Sequence, residues 1–182
     1  MMLGPALALL ELDSIARGLL TVDAMVKKAE VEIEEARTIS PGRFLIRIQG
    51  GVGEVEAAYL EGKTTADSAL LDCVFLPLPH ENLMALLEGE PREAELDAVA
   101  IVECFTSASA VAALDAALKC SEVTATRLDL ANQLGGKGWF FLTGTLEDLD
   151  AALVAAAAAA APGMLQRIER VARPHGDLAE HF

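Results

Sequence analysis

The sequence predicts an α+β fold in two tandem copies, each a four-stranded antiparallel sheet with two helices on one face, of ferredoxin-like type. The first observation is an internal repeat: the segment DAMVKKAEVE, which starts at Asp23, returns as DAALKCSEVT, which starts at Asp115. The second observation is that strand-like and helix-like patterns follow one another in the same order in both halves. Hydrophobic residues make up 53% of the 182-residue chain, which is enough to bury a core in each copy.

The repeat runs through nearly the whole chain. ALALLE aligns with AVAIVE, PGRFLIRIQG aligns with GGKGWFFLTG, and LPLPH near the end of the first copy aligns with VARPH near the end of the second. A tandem duplication of this kind predicts a first domain at 1–88 and a second at 98–182. The acidic stretch 89–97 has turn residues and no apolar period, so we interpret it as the linker.

Each copy begins with a short apolar strand that leads into an amphipathic helix. Asp13 or Ser14 is the candidate cap in the first copy, and Thr106 or Ser107 is the candidate in the second. Helical spacing predicts that one face of each helix is buried. The expected faces are Ile15, Leu19, Val22, Val26 and Ala29 in the first copy and Ser107, Val111, Leu114, Leu118 and Ser121 in the second.

A second strand, a glycine-containing loop and a third strand follow the first helix. In the third strand Phe44, Ile46 and Ile48 alternate with Leu45, Arg47 and Gln49, which is the period of a β-strand. Spaced apolar residues then predict a second helix, and a last strand is expected to end at the Pro-His dipeptide. The residues that set the second helices are Val52, Val55 and Tyr59 in one copy and Leu146, Leu149 and Leu153 in the other.

Charge and cysteine content exclude several classes of protein. Twenty-eight acidic residues against fourteen basic ones leave a net charge of −14, the opposite of what nucleic-acid binding requires. The cysteines Cys73, Cys104 and Cys120 form no CxxC pair, which favours reduced thiols in the cytoplasm. The alanine-rich run from Leu153 to Pro162 falls short of the roughly 20 apolar residues of a membrane helix, so we expect a soluble protein with no membrane contact.

No pattern in the chain indicates an enzyme. His80 and His175 each follow a proline, and no nucleophile or carboxylate stands near them in a catalytic arrangement. The glycine-rich LGGKG that starts at Leu134 lacks the spacing of a phosphate-binding loop. We therefore predict no catalytic residues, no metal ligands and no cofactor.

The order ALALLE, DAMVKKAEV, glycine loop, FLIRIQGGVGEVEAA and terminal Pro-His resembles tandem-domain bacterial microcompartment shell proteins. It is similar above all to the trimeric tandem shell proteins of propanediol-utilisation compartments, in direct and not circularly permuted order. The resemblance implies a homotrimer whose six BMC domains form a flat pseudohexamer. Such tiles would lie edge to edge with other shell proteins around encapsulated enzymes in the cytoplasm, and a central pore would pass small metabolites.

The resemblance also implies roles for particular residues. The expected pore loops are Ser40, Pro41 and Gly42 in the first copy and Leu134, Gly135 and Gly136 in the second, flanked by Arg43 and Lys137. The expected edge lysines, which would meet a neighbouring tile, are Lys27 and Lys119. Their partner in the family is an arginine that Arg173 matches, whereas the first copy has Leu78 at this place. The alternative for each lysine is an ordinary solvated side chain.

Two other functions are compatible with the sequence. Some relatives carry an iron–sulfur cluster on the threefold axis, held by a Cys-Pro-Gly loop, and this chain would then be a redox tile. It has Ser40 in place of that cysteine, and a serine hydroxyl is a poor ligand for such a cluster. The other alternative is a pair of ferredoxin-like domains that binds a small molecule and has no role in a shell.

Overall fold

The computed structural model describes residues 6–90, 97–131 and 134–177. They form two compact units. The first unit contains the chain up to Pro79 together with the segment Ala131–Gly136, and the second contains His80–Leu130 and the chain from Lys137 onward. Within the described ranges, no helix has the length and apolar character needed to cross a membrane.

The first unit is a four-stranded antiparallel sheet with two long helices. The strands lie in the order β2-β3-β1-β4, so the first strand is central and β2 and β4 are the edges. The elements are β1 (Ala6–Leu12), α1 (Ile15–Lys28), β2 (Glu32–Ile39), β3 (Arg43–Gly50), α2 (Val52–Ala66), a 3-10 turn (Asp67–Ala69) and β4 (Leu70–Leu76).

The second unit repeats this arrangement and adds a short helix at its start. Its strands lie in the order β6-β7-β5-β8, again antiparallel, with β6 and β8 at the edges. The elements are α3 (Glu81–Leu87), β5 (Ala98–Cys104), α4 (Ser107–Cys120), β6 (Thr124–Leu130), β7 (Gly138–Gly144), α5 (Leu146–Ala159) and β8 (Leu165–Val171). The predicted fold, two tandem α+β domains in direct order, is confirmed.

Alternate residues of a β-strand point to opposite sides of the sheet, and in the central strands one of these sides forms the hydrophobic core. In the first unit Ala8 and Leu10 of β1 and Ile46 of β3 belong to one buried cluster with residues of the two helices. The predicted alternation of Phe44, Ile46 and Ile48 is seen in that cluster.

Two of the predicted helix caps are present. Ser14 Oγ accepts the backbone N–H of Arg17 at 3.2 Å at the start of α1, and Thr106 Oγ1 accepts that of Ser109 at 3.4 Å at the start of α4. Each hydroxyl satisfies an amide that the first helical turn leaves unpaired.

The predicted buried face of α1 is wrong for three of its five residues, whereas Val22 is buried and Ala29 packs against the core. The helix buries Gly18, Thr21, Val22 and Met25, whereas Ile15, Leu19 and Val26 are exposed. The physical reason is the close approach at Gly18, where an added Cβ would overlap the ring of Phe44. That contact rotates the helix so that its glycine side, and not its most apolar side, lies on the sheet.

The expected face of α4 is confirmed for four of its residues. Ser107, Val111, Leu114 and Leu118 are all buried, together with most of the rest of the helix. The second helices agree in part. Val55, Leu149 and Leu153 are buried, but Val52 and Leu146 at the helix starts are exposed.

The region around the Pro-His dipeptide differs from the expectation. Strand β4 ends at Leu76 and β8 at Val171, before the dipeptides, and His80 then caps a helix that the periodicity did not indicate. This helix, α3, lies within 1–88 by sequence but belongs to the second compact unit. Most of the predicted linker, residues 91–96, lies outside the described residues.

Candidate pore loops and tile edges

The two predicted pore loops join corresponding strands of the two sheets. Ser40, Pro41 and Gly42 connect β2 to β3 and are exposed, as are Leu134 and Gly135 between β6 and β7, whereas Gly136 is buried. Gly42 and Gly136 have φ values of 85° and 86°, in the left-handed region that favours glycine. The glycines are therefore required by the tight turns themselves.

The two loops lie close together in the structure. The segment Ala131–Gly136, which contains the second loop, belongs to the same compact unit as the first loop. A Cβ added at Gly136 would lie 3.0 Å from the carbonyl oxygen of Ser40 and 2.7 Å from Arg43 Nη1. Only a glycine permits this backbone to approach so closely.

Both predicted flanking cations are paired with carboxylates. Arg43 Nη1 lies 2.7 Å from Oε1 of Glu11, which is fully buried at the end of β1. Lys137 Nζ lies 3.3 Å from Oε2 of Glu103, the corresponding residue of β5. The pairs offset the positive charge at each loop, so neither cation acts as an isolated charge there.

The loop chemistry does not fit an iron–sulfur cluster. Ser40 offers a hydroxyl, and the three cysteines lie elsewhere: Cys73 on β4, Cys104 at the buried end of β5 and Cys120 at the end of α4. Over residues 6–90, 97–131 and 134–177, no group of three or more His, Cys, Asp or Glu side chains could hold a metal ion. Iron–sulfur clusters are held by several thiolates, which these loop residues do not supply.

The two predicted edge lysines make the same local ion pair. Lys27 Nζ lies 2.6 Å from Oδ2 of Asp23, and Lys119 Nζ lies 2.6 Å from Oδ2 of Asp115. The repeated Asp and Lys are four residues apart, which places them on one face of a helix. The side chain of Lys27 is 72% exposed and that of Lys119 is 44% exposed.

The two aspartates differ in surroundings. Asp115 is buried and its Oδ1 also accepts the backbone N–H of His80 at 2.8 Å, whereas Asp23 is exposed. Arg173, the third predicted edge residue, is exposed and forms no ion pair with another described residue.

Sequence reasoning missed four residues that organise these regions. Glu11 and Glu103 hold the flanking cations, Asp115 anchors the segment at His80, and Asn82 of α3 binds the edge strand β6. The available signal was the repeat: Glu11 and Glu103 occupy the same position in ALALLE and AVAIVE, as Asp23 and Asp115 do in the opening repeat.

A tyrosine and a cysteine form a further, partly buried contact in the first unit. Tyr59 Oη donates to Cys73 Sγ at 3.1 Å, and the Tyr59 ring stacks on Phe75 with centroids 5.7 Å apart. Burial, reinforced by the hydrogen bond to Cys73, raises the pKa of the Tyr59 hydroxyl well above its ordinary value. This hydroxyl is consequently a structural group and not a base.

Comparison with known proteins supports a single family. The model of the BMC domain matches residues 6–79 and again 98–174. The bacterial microcompartment shell protein PduT of Citrobacter freundii is 36% identical over 171 residues, which cover 93% of each chain. The carboxysome shell protein CcmK4 of Synechococcus elongatus is 34% identical over 85 residues, 44% of this chain and 75% of that protein.

A solved structure agrees over the full length. A microcompartment protein from Desulfitobacterium hafniense DCB superposes with a TM-score of 0.81 at 31% identity, covering 96% of this chain and 98% of the other. The double match to one domain, the near-complete coverage and the strand order all lead to the same assignment. The chain therefore belongs to the shell proteins of bacterial microcompartments, with two BMC domains in tandem and in direct order.

Proposed function

We propose that this chain forms a homotrimer whose six BMC domains build a flat pseudohexameric tile of a microcompartment shell, with a central pore for small metabolites. The relatives PduT and CcmK4 are shell proteins by name, and a shell protein acts by assembling with its neighbours. The role is structural, without a catalytic centre of its own.

The proposal rests on a difference in exposure between equivalent positions of the two copies. Leu19 on α1 is 58% exposed, whereas Val111 at the same position of α4 is fully buried. Val26 and Leu118 differ in the same direction, at 37% and 5%. Ile15 and Leu20 add to the exposed apolar side of α1. Covering such a side chain contributes about 1.5–3 kcal/mol, so this surface favours a partner.

A second copy of the chain is the partner that the duplication favours. When a surface is buried in one copy and its counterpart is exposed in the other, a head-to-tail contact between chains can bury the exposed one. Contacts of this type form a ring when the rotation between neighbours closes. Three chains with two domains each provide the six near-equivalent positions of a pseudohexamer.

The pore would be lined by the loops Ser40–Gly42 and Leu134–Gly136, three copies of each. The exposure of five of these six residues and the proximity of Gly136 to Ser40 support this assignment. Because Glu11 and Glu103 neutralise Arg43 and Lys137, the groups left for a passing molecule are the Ser40 hydroxyl and backbone amides. Such groups favour a small polar metabolite that forms hydrogen bonds.

The tile edge would carry Lys27, Lys119 and Arg173, which meet other shell proteins. All three are exposed on the described surface. Lys27 and Lys119 recur at the same position of each copy, as an edge that appears twice per chain requires.

Measurement of the mass in solution tests the assembly. Light scattering or native mass spectrometry should give three times the chain mass of 19.2 kDa at micromolar concentration. A monomeric mass under these conditions would contradict the proposal and would favour a two-domain binding protein outside a shell.

A further inference from the structure

Helix α3 covers the open edge of the second sheet. β6 is an edge strand, and Asn82 Nδ2 donates to the carbonyl of Ala125 at 3.0 Å while Asn82 Oδ1 accepts the N–H of Ala125 at 2.9 Å. One side-chain amide thus pairs both backbone groups that an edge residue leaves open.

Two further contacts fasten the same segment to the second unit. The backbone N–H of His80 donates to Asp115 Oδ1 at 2.8 Å, and His80 Nδ1 accepts the backbone N–H of Asn82 at 3.1 Å, which starts the helix. Leu83 is fully buried. The segment that follows the first Pro-His is therefore a clasp, here defined as residues 80–87, held on β6 and α4.

In the first unit the corresponding residues, Ile33 of β2 and Asp23 of α1, are exposed. Ile33 of β2 pairs with Ile48 as Ala125 of β6 pairs with Leu142, and a register shift follows both residues. The backbone N–H and C=O of Ile33 therefore point away from β3, as those of Ala125 point away from β7. In the described part of the chain no side chain binds them, and Ile33 is 44% exposed where Ala125 is 0%.

The end of the second copy has the residues of a second clasp. His175 and Asp177 align with His80 and Asn82, and Leu178 aligns in sequence with Leu83. His175 Nδ1 accepts the N–H of Asp177 at 3.3 Å, the same turn that His80 forms with Asn82. His175 and Asp177 are both exposed.

We propose that residues 175–177 of one chain dock on β2 and α1 of the next chain, as His80 binds Asp115 of α4 and Asn82 binds Ala125 of β6. The N–H of His175 binds Asp23 of the neighbour, and Asp177 accepts the N–H of Ile33. The docking rests on the proposed trimer, in which a second copy of the chain is the neighbour, and it specifies which segment joins the two chains.

The second clasp is weaker than the first for two reasons. An ionised Asp177 accepts the N–H of Ile33 but cannot donate to its carbonyl, as Asn82 does to Ala125. β2 also carries Glu32 and Glu34 where β6 carries Thr124 and Thr126, so a carboxylate from the clasp meets like charge. Replacing Asp177 with asparagine removes both disadvantages.

Disulfide trapping in the full chain tests the contact. With Cys120→Ser to remove the exposed native thiol, the pair Ile33→Cys and Asp177→Cys should oxidise to covalent dimers and trimers on a non-reducing gel. The matched control is Asn82→Cys with Ala125→Cys, which should crosslink within one chain. A trimeric protein in which the control pair oxidises and the Ile33 and Asp177 pair gives only monomer would overturn the docking and leave the trimer standing.

A second measurement does not depend on cysteines. Asp177→Asn should lower the concentration at which the trimer half-dissociates by at least about fivefold, the effect of one added hydrogen bond. A chain that ends at Pro174 should raise it. Unchanged dissociation in both variants would overturn the docking, whereas a parent chain that is monomeric would overturn the proposed function itself.

Discussion

The buried carboxylate of Glu11 binds the guanidinium of Arg43, with Oε1 and Nη1 2.7 Å apart, at the point where the first predicted pore loop enters β3. The second copy has the same arrangement with different chemistry, since Glu103 binds Lys137 at 3.3 Å. Glu11 is fully buried, whereas the side chains of Glu103 and Lys137 are both more than a third exposed. The two pairs therefore allow the effect of a buried ion pair on stability to be compared with that of an exposed one at equivalent positions.

Arg43→Ala should destabilise the protein more than Lys137→Ala. Loss of Arg43 removes a charged partner from a buried carboxylate, which costs about 3 kcal/mol. Loss of Lys137 removes a solvent-exposed pair, which costs less than about 1 kcal/mol. Urea unfolding at one fixed protein concentration measures both. Equal effects of the two substitutions would contradict the importance of burial at Glu11.

Leu19→Asp should dissociate the proposed trimer while the separated chain stays folded. The substitution places a charge in the apolar surface of α1 that we expect a neighbouring chain to bury. Leu60→Asp is the control. Leu60 and its equivalent in the second copy, Val154, are both exposed, so the comparison of the two copies does not indicate that a neighbouring chain covers Leu60. Light scattering reports the mass and circular dichroism reports the fold. If the Leu19→Asp protein remained trimeric, this surface of α1 would not be part of the interface between chains.

Lys27→Ala and Lys119→Ala should leave the trimer intact and impair the formation of extended sheets. Among the described residues each lysine pairs with an aspartate of its own helix, Asp23 or Asp115. The exposed pair of Lys27 contributes less than about 1 kcal/mol to the fold, and Asp115, which is buried, keeps its hydrogen bond from the backbone of His80 when Lys119 is removed. Arg173→Ala is expected to act in the same way, and Leu78→Ala at the corresponding place of the first copy is the control. Electron microscopy of assembled sheets is the measurement. Sheets that form as readily as those of the parent chain would identify the lysines as ordinary surface residues.

The protein purified without oxygen and supplied with iron should remain colourless. Ser40 provides a hard hydroxyl that stays protonated near neutral pH, and Cys73, Cys104 and Cys120 all lie outside the two loops. A Ser40→Cys variant is the informative comparison, since it restores a thiol in front of Pro41 and Gly42. A brown parent protein with close to stoichiometric iron per trimer would favour the redox tile.

The stability of the protein should fall as the pH rises above about 10, in part through Tyr59. Burial and the contact with Cys73 raise the pKa of this hydroxyl in the folded state, so above the ordinary pKa the unfolded chain loses a proton that the folded chain keeps. The contribution of Tyr59 to the free energy of unfolding is complete below about pH 10 and is lost as the pH rises further. The urea midpoint of Tyr59→Phe should decline less over this range.

Tyr59 is the single tyrosine of the chain, so its ionisation can be followed directly by the absorbance of tyrosinate. In the folded protein this absorbance should appear at higher pH than in urea. If the tyrosinate absorbance appeared at the same pH in the folded protein and in urea, the pKa of the Tyr59 hydroxyl would not be raised by folding.

The domain repeat, the fold class and the caps at Ser14 and Thr106 could be predicted because each depends on local pattern. Alternation along β3 and helical spacing after the caps are properties of neighbouring residues, and the duplication displayed each twice. The face of α1 could not be predicted from spacing, because it depends on how closely Gly18 approaches Phe44 of another element. The resemblance carried by the repeated motifs led to the correct family, whereas the roles of the pore and edge residues remain predictions.

The sequence by itself determined that this protein is a duplicated α+β chain, because its periodicities and its repeat lie along the chain, and the resemblance of its motifs indicated the microcompartment shell family. Tertiary structure alone decided which equivalent residues of the two copies differ in burial and in hydrogen bonding. Asp115 is buried under the segment at His80 while Asp23 is exposed, and Ala125 is bound by Asn82 while Ile33 is open. The residues of each pair align in sequence, so their difference arises only from what the folded chain places beside them. Burial and hydrogen bonding between distant segments are properties of three-dimensional packing, and local sequence does not encode them.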